Sequence, residues 1–190
     1  MKRLIDVSSK LKNDADTLLQ QTGLIEDLKR FGEVHLTGAY AGNVMMHGDI
    51  DITVIRDTAY SSDEVLDILK FLYKKGKFRS YFIKGDWDDD RKGNEFPHGH
   101  YIGMKQRLND EKWKIDVWFA DRKEYEDRKK NLLDIASSTL TDEQRELILE
   151  IKEYRNDNKL NISGQEIYEA VINKGIKNLE EFKKLYNAQK

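Results

Sequence analysis

Two aspartates one residue apart, Asp49 and Asp51, lie in the run Asp49-Ile50-Asp51-Ile52-Thr53-Val54-Ile55-Arg56, where Ile50, Ile52 and Val54 alternate with Asp49, Asp51 and Thr53. A period of two is the mark of a strand, and a strand sets both carboxylates side by side on one face. Like charges that close repel and raise a carboxyl pKa unless a cation lies between them. A hard divalent ion is the natural partner, because Mg²⁺ takes a few carboxylate oxygens together with waters and phosphate oxygens. Upstream, Thr37-Gly38-Ala39-Tyr40-Ala41-Gly42 ends a short extended segment with small residues. Such a turn lets backbone approach a phosphate and presents the amides of a following helical turn to an anion. Downstream, Asp116 sits mid-strand in Trp113 to Phe119, on the face opposite Trp113, Ile115, Val117 and Phe119. A turn for phosphates and carboxylates for the metal that bridges them is the division of labour phosphoryl transfer needs.

These residues need elements to hold them. Residues 3 to 31 carry apolar side chains at spacings of three and four, which predicts one broken helix or two consecutive ones stopping near Gly32. Val34 to Leu36 reads as a short strand running into Gly38. Ser61-Ser62-Asp63-Glu64 is a capping box opening a helix that Gly76 ends. Lys77 to Lys84 has the aromatic and β-branched content of a strand. Residues 85 to 97, acidic and without periodicity, read as a loop. His100 to Gln106 and Trp113 to Phe119, joined through Leu108-Asn109-Asp110-Glu111, read as an antiparallel hairpin. From residue 121 onward only helices are expected, opened by Asp121 with Glu124, Thr141 with Gln144, Ser163 with Glu166 and Asn178 with Glu181. The expected class is α+β: a mixed sheet flanked by helices over residues 1–120, then a helical bundle over 121–190.

The order strand, glycine turn, nine residues, Asp49-Ile50-Asp51-Ile52 and a later Ile115-Asp116-Val117 resembles the polymerase-beta-type nucleotidyltransferase superfamily over roughly residues 20 to 120. The resemblance implies a metal-dependent enzyme. Asp49 and Asp51 would bind two Mg²⁺ (or Mn²⁺) with a nucleoside triphosphate, ATP being the first candidate. Asp116 would bind the second metal and help deprotonate an acceptor hydroxyl, while Gly38 and Ala39 would contact the phosphates. The family commonly has Gly or Ser where Ala39 stands and a basic residue near Gly42, so cations elsewhere are expected to hold the triphosphate. His47, Arg56, Lys84, Lys105 and Lys114 are candidates, with Lys114 favoured because it shares the Asp116 face.

Composition narrows the rest. The 190 residues hold 33 Lys+Arg against 35 Asp+Glu, a net charge of −2, and no cysteine, so thiolate metal sites, disulfides and cysteine nucleophiles are excluded. Near-neutral charge favours a small-molecule hydroxyl acceptor over a nucleic-acid primer, which asks for a basic excess. No apolar run approaches a membrane span or signal peptide, which points to a cytoplasmic protein. His98-x-His100 lacks further metal ligands. Asp86-x-Asp88-x-Asp90 imitates a calcium loop, but Arg91 stands where the glycine belongs. Trp87, Trp113, Trp118 and Tyr40 are candidates for stacking on a base, of which only Trp118 shares the carboxylate face. Two other outcomes stay open: transfer of the nucleotide to a protein side chain, and a catalytically inactive binding module.

Overall fold

The computed structural model describes residues 4–84, 99–131, 135 and 140–187. The loop expected at 85–97, with Trp87 and the aspartates of 86–90, and His98 lie outside the described residues. In chain order the elements are α1 (Leu4–Thr22), α2 (Leu24–Leu28), β1 (Glu33–Thr37), α3 (Gly38–Ala41), β2 (Asp49–Arg56), α4 (Ser62–Lys75) and β3 (Ser80–Lys84). There follow β4 (His100–Leu108), β5 (Glu111–Asp121), α5 (Arg122–Asn131), α6 (Asp142–Asp157), α7 (Gly164–Tyr168), a π-helical turn (Glu169–Asn173) and α8 (Leu179–Asn187). The strands form one mixed sheet in the order β1-β2-β5-β4-β3. Every pair is antiparallel except β2 with β5, which run parallel.

Local chemistry explains the element ends. Ser61, Thr141 and Ser163 each close a reciprocal capping box with Glu64, Gln144 and Glu166. Asp121 accepts from the Glu124 amide, and Asn178 accepts from that of Glu181, whose carboxylate reaches back to the Lys177 amide instead of the Asn178 one. Asn109 and Asp110, both with positive φ (50° and 62°), make the two-residue β4–β5 turn. That geometry matches the strand twist and tolerates Asn and Asp.

The sheet has two unlike faces. One carries Ile50, Ile52 and Val54 of β2, Trp113, Ile115, Val117 and Phe119 of β5, and Ile102 and Met104 of β4, all buried against α1, α2 and α4. The other carries Asp49, Asp51 and Asp116. A second apolar cluster joins α6, α7, the π-helical turn and α8 around Ile148, Leu149, Ile151 and Ile167. The segment 39–46 is the seam between the two. Met45 enters the sheet core, Val44 enters the helical one, and Ala39 packs against both.

Three consecutive residues of the seam are pinned through their backbone. The Arg145 guanidinium donates to the Asn43 carbonyl at 3.3 Å, the Lys152 ammonium to the Val44 carbonyl at 2.9 Å, and the Met45 amide to the buried Ser8 hydroxyl at 2.8 Å. Helices α1 and α6 therefore fix the chain between the glycine turn and the acidic strand. Among the described residues no helix is long and apolar enough to cross a membrane.

Ile52, fully buried in β2 between the sheet and its helices, is a test of this packing. Ile52→Ala is expected to cost about 2–5 kcal/mol in urea unfolding, against a few tenths for Val7→Ala on the exposed side of α1.

Candidate active site

The parallel register places Asp51 directly opposite Asp116, and Asp49 opposite Lys114, on neighbouring strands. The alternation of β2 and β5 then points all three carboxylates to the same face. Each offers an oxygen within 4.8 Å of the other two. Gly38 stands immediately beside them: its φ is +63°, and a Cβ built there would run into the Asp51 carboxylate. Only glycine meets both conditions, the left-handed backbone and the absent side chain.

Confinement is written into the titration of these groups. Burial raises Asp49, and the charge of Asp116 adds to that, while Lys114, His47 and Lys152 pull it back. Burial, then the charges of Asp49 and Asp116, push Asp51 up to about 7, opposed by Lys114 and Lys152. Asp116 is held at both oxygens: the Tyr101 hydroxyl donates to Oδ1 at 2.7 Å and the Lys114 ammonium to Oδ2 at 2.5 Å. Burial alone would lower Lys114, but the hydrogen bond to Asp116 and the charges of all three aspartates outweigh it and raise it.

A divalent ion fits this donor set. All three ligands are hard carboxylate oxygens, as Mg²⁺ or Mn²⁺ prefers. Asp49 Oδ1 is buried without a hydrogen-bond partner, and the Lys114 ammonium stands 4.0 Å from it. An orphaned anionic oxygen turned into a cluster of like charges is what a cation site requires.

The other sequence candidates separate cleanly. His47 Nε2 lies 3.9 Å from Asp49 and belongs to the rim. Arg56, at the far end of β2, is engaged by Glu64 and the carbonyls of Thr58 and Ala59. Lys105 lies over the Phe82 ring, 5.7 Å from its centroid, and Lys84 is on the outermost strand. Trp118 does share the carboxylate face, but it is nearly buried and packs on Tyr101, centroids 4.9 Å apart. Trp113 and Tyr40 are core residues, the Tyr40 hydroxyl bonding Asp16 of α1. His100 bonds the Tyr60 carbonyl at 3.0 Å, a structural use.

Sequence reasoning missed Lys152. It sits on α6, 5% exposed, with its ammonium on the Val44 carbonyl and on the Tyr168 hydroxyl, both at 2.9 Å. Burial and the charge of Arg155 lower it to about 7, while Asp51 and Asp49 act in the opposite sense. A signal was present: Lys152 follows Ile148 by four and Leu149 by three, a lysine on the apolar stripe of its helix.

No protein family's sequence model matches this chain, and neither does any curated protein. Solved structures match in shape. Cid1, described by its RNA terminal uridylyl transferase activity, gives a TM-score of 0.50 at 17% identity, over 80% of this chain and 40% of that one. GLD-2 in complex with RNP-8 gives 0.49 at 12% identity over 96% and 66%, and the poly(A) polymerase complex of GLD-2 with GLD-3 gives 0.47 at 11% over 86% and 53%. At such identities the likeness is one of fold, and it rests on Cid1. What the two share is the fold, which in this chain is a mixed five-stranded sheet flanked by helices, with further helices after the sheet. It spans about two-fifths of the length of Cid1.

The raised Asp51 pKa makes stability depend on pH. An acid lifted from 3.8 to about 7 on folding favours the folded state most below pH 4 and loses that contribution as pH rises through 7. In EDTA, Asp51→Asn is therefore expected to raise the melting temperature, and to do so more at pH 8 than at pH 5. Equal shifts at both pH values would mean that the carboxyl is not confined as described.

Proposed function

We propose that this protein is a metal-dependent nucleotidyltransferase that moves a nucleoside monophosphate from a triphosphate to an acceptor hydroxyl. The observation that carries the reading is the convergence of Asp49, Asp51 and Asp116 beside the Gly38 turn. The fold supports it, and the hard-oxygen donor set supports divalent metal. Asp49, Asp51 and Asp116 are the residues that would hold the divalent ions. Two divalent ions bound there supply Lewis-acid stabilisation of the attacking and leaving oxygens.

The chain's own residues do the remainder. Asp116 takes the proton of the acceptor hydroxyl as its oxygen bonds to the α-phosphorus, and the bond from that phosphorus to the pyrophosphate oxygen breaks. Tyr101 fixes the Asp116 carboxylate by its 2.7 Å hydrogen bond. Gly38 and the backbone at Ala39 leave room for the triphosphate next to Asp51. The Ala39 side chain is committed to packing, so compensating charge comes from Lys114, 4.0 Å from Asp49, and from Lys152 of α6. ATP is the first donor to test.

With ³²P in the α-position of each triphosphate, wild-type protein and Mg²⁺ should yield a labelled acceptor and release pyrophosphate. Asp49→Asn and Asp116→Asn should each lower the rate by more than about 100-fold, the scale on which one charge-stabilising group is felt, without loss of fold by circular dichroism. A labelled protein band would assign a protein acceptor. Unchanged turnover in either variant would reject the mechanism. Lys152→Met, which removes a charge acting on Asp49 and Asp51, should weaken triphosphate binding in calorimetry.

A further inference from the structure

The net charge of −2 averages over a chain whose cations are not evenly spread. From Ile68 to Lys84 there are six basic residues, Lys70, Lys74, Lys75, Lys77, Arg79 and Lys84, and not one Asp or Glu. This stretch is the second half of α4 and the outer strand β3, and between them runs a groove of about 920 Å³. Lys70, Lys74 and Arg79 line it together with Leu66, Tyr73 and Tyr81.

The groove combines concentrated positive charge with an exposed aromatic ring. Among the described residues Lys75 pairs with Asp27, while none of the three cations lining the groove, Lys70, Lys74 and Arg79, is in a salt bridge. An outer strand carries lysines to deter edge pairing, but that explains neither the lysines of α4 nor the aromatic between them. Tyr73 is 68% exposed, its ring set edge-on to Tyr81 at 5.5 Å. A large, rigid aromatic face left in water amid concentrated positive charge is the composition of a stacking platform.

We propose that this groove binds a single-stranded nucleic acid, phosphates on Lys70, Lys74 and Arg79 and a base on Tyr73. An isolated phosphate needs no aromatic, and an acidic peptide gains little from one, so the exposed Tyr73 favours a strand. The location is apt. Phe82 of β3 lies across Gly103 of β4, whose Cβ position its ring fills, and Gly103 is paired with Asp116. Asp116 is thus two strand spacings, roughly 10 Å, from the edge that the groove borders, with Asp49 and Asp51 one strand further in. Lys105 and Phe82 lie on the carboxylate face between the two. A strand rounding that edge brings its terminal hydroxyl toward Asp116, which makes it the acceptor. That last step rests on the nucleotidyl-transfer reading, while binding in the groove does not.

The test is fluorescence anisotropy of a 5′-labelled 12-nucleotide oligouridylate with the full chain, without triphosphate or divalent ion. Binding is expected, with a slope of roughly −2 in log affinity against log salt for three phosphate contacts. The triple variant Lys70→Gln, Lys74→Gln, Arg79→Gln should abolish the salt-dependent component with its melting temperature unchanged. Tyr73→Ala, which keeps every charge, should weaken binding about tenfold. No binding at 50 mM salt, or binding indifferent to these variants, overturns the proposal. So does a polyglutamate peptide that binds as tightly as the oligonucleotide and ignores Tyr73→Ala. A wild-type protein that binds the strand but adds no nucleotide to any acceptor upholds the groove and rejects the transferase reading. One that labels another acceptor and does not bind the strand does the reverse.

Discussion

Three carboxylates forced within 4.8 Å of one another is the constraint that the rest of the molecule answers to. Their mutual repulsion, sharpened by burial, is unfavourable to folding, and it is met from several directions at once. Beneath them the sheet face is packed with fully buried Ile50, Ile52, Ile115 and Val117, so neither strand can yield without opening the core. Beside them Lys114 and Tyr101 each take an oxygen of Asp116. From α6, Lys152 adds a positive charge that burial has weakened. The compensation is incomplete, as the raised Asp49 and Asp51 show. A site kept partly uncompensated is ready to take up a divalent cation.

The C-terminal helices take part in the site as well as following the sheet. Through Arg145 and Lys152, α6 holds the carbonyls of Asn43 and Val44, and Val44 is buried among its apolar residues. This seam lies between the Gly38 turn and Asp49, so the spacing of turn and carboxylates depends on helices more than 100 residues later. Lys152 does two jobs: it anchors backbone and contributes charge at the carboxylates. Packing and electrostatics are coupled through one side chain.

Charge arrangement separates two surfaces that whole-chain composition merges. The acidic cluster concentrates negative charge on one face of the sheet, and the α4–β3 edge concentrates positive charge. The net charge of −2 is the sum of these opposed regions and describes neither.

Much of this was legible in the sequence because its physics is local. The alternation in Asp49–Arg56 sets strand and facing together, since a one-residue slip would reverse every side chain. The capping residues at 61, 141 and 163 act within four residues of themselves, and Asn109-Asp110 fixes its own hairpin. The three carboxylates and the glycine could be named from spacing, and Lys114 from its parity with Asp116. What the sequence could not express was the parallel pairing of β2 with β5, because β-pairing between distant strands is chosen by the whole core. That pairing alone turns three aspartates into one site. Lys152 stayed hidden for the same reason: its position on an apolar helical stripe was visible, but which backbone it would meet depends on how α6 docks.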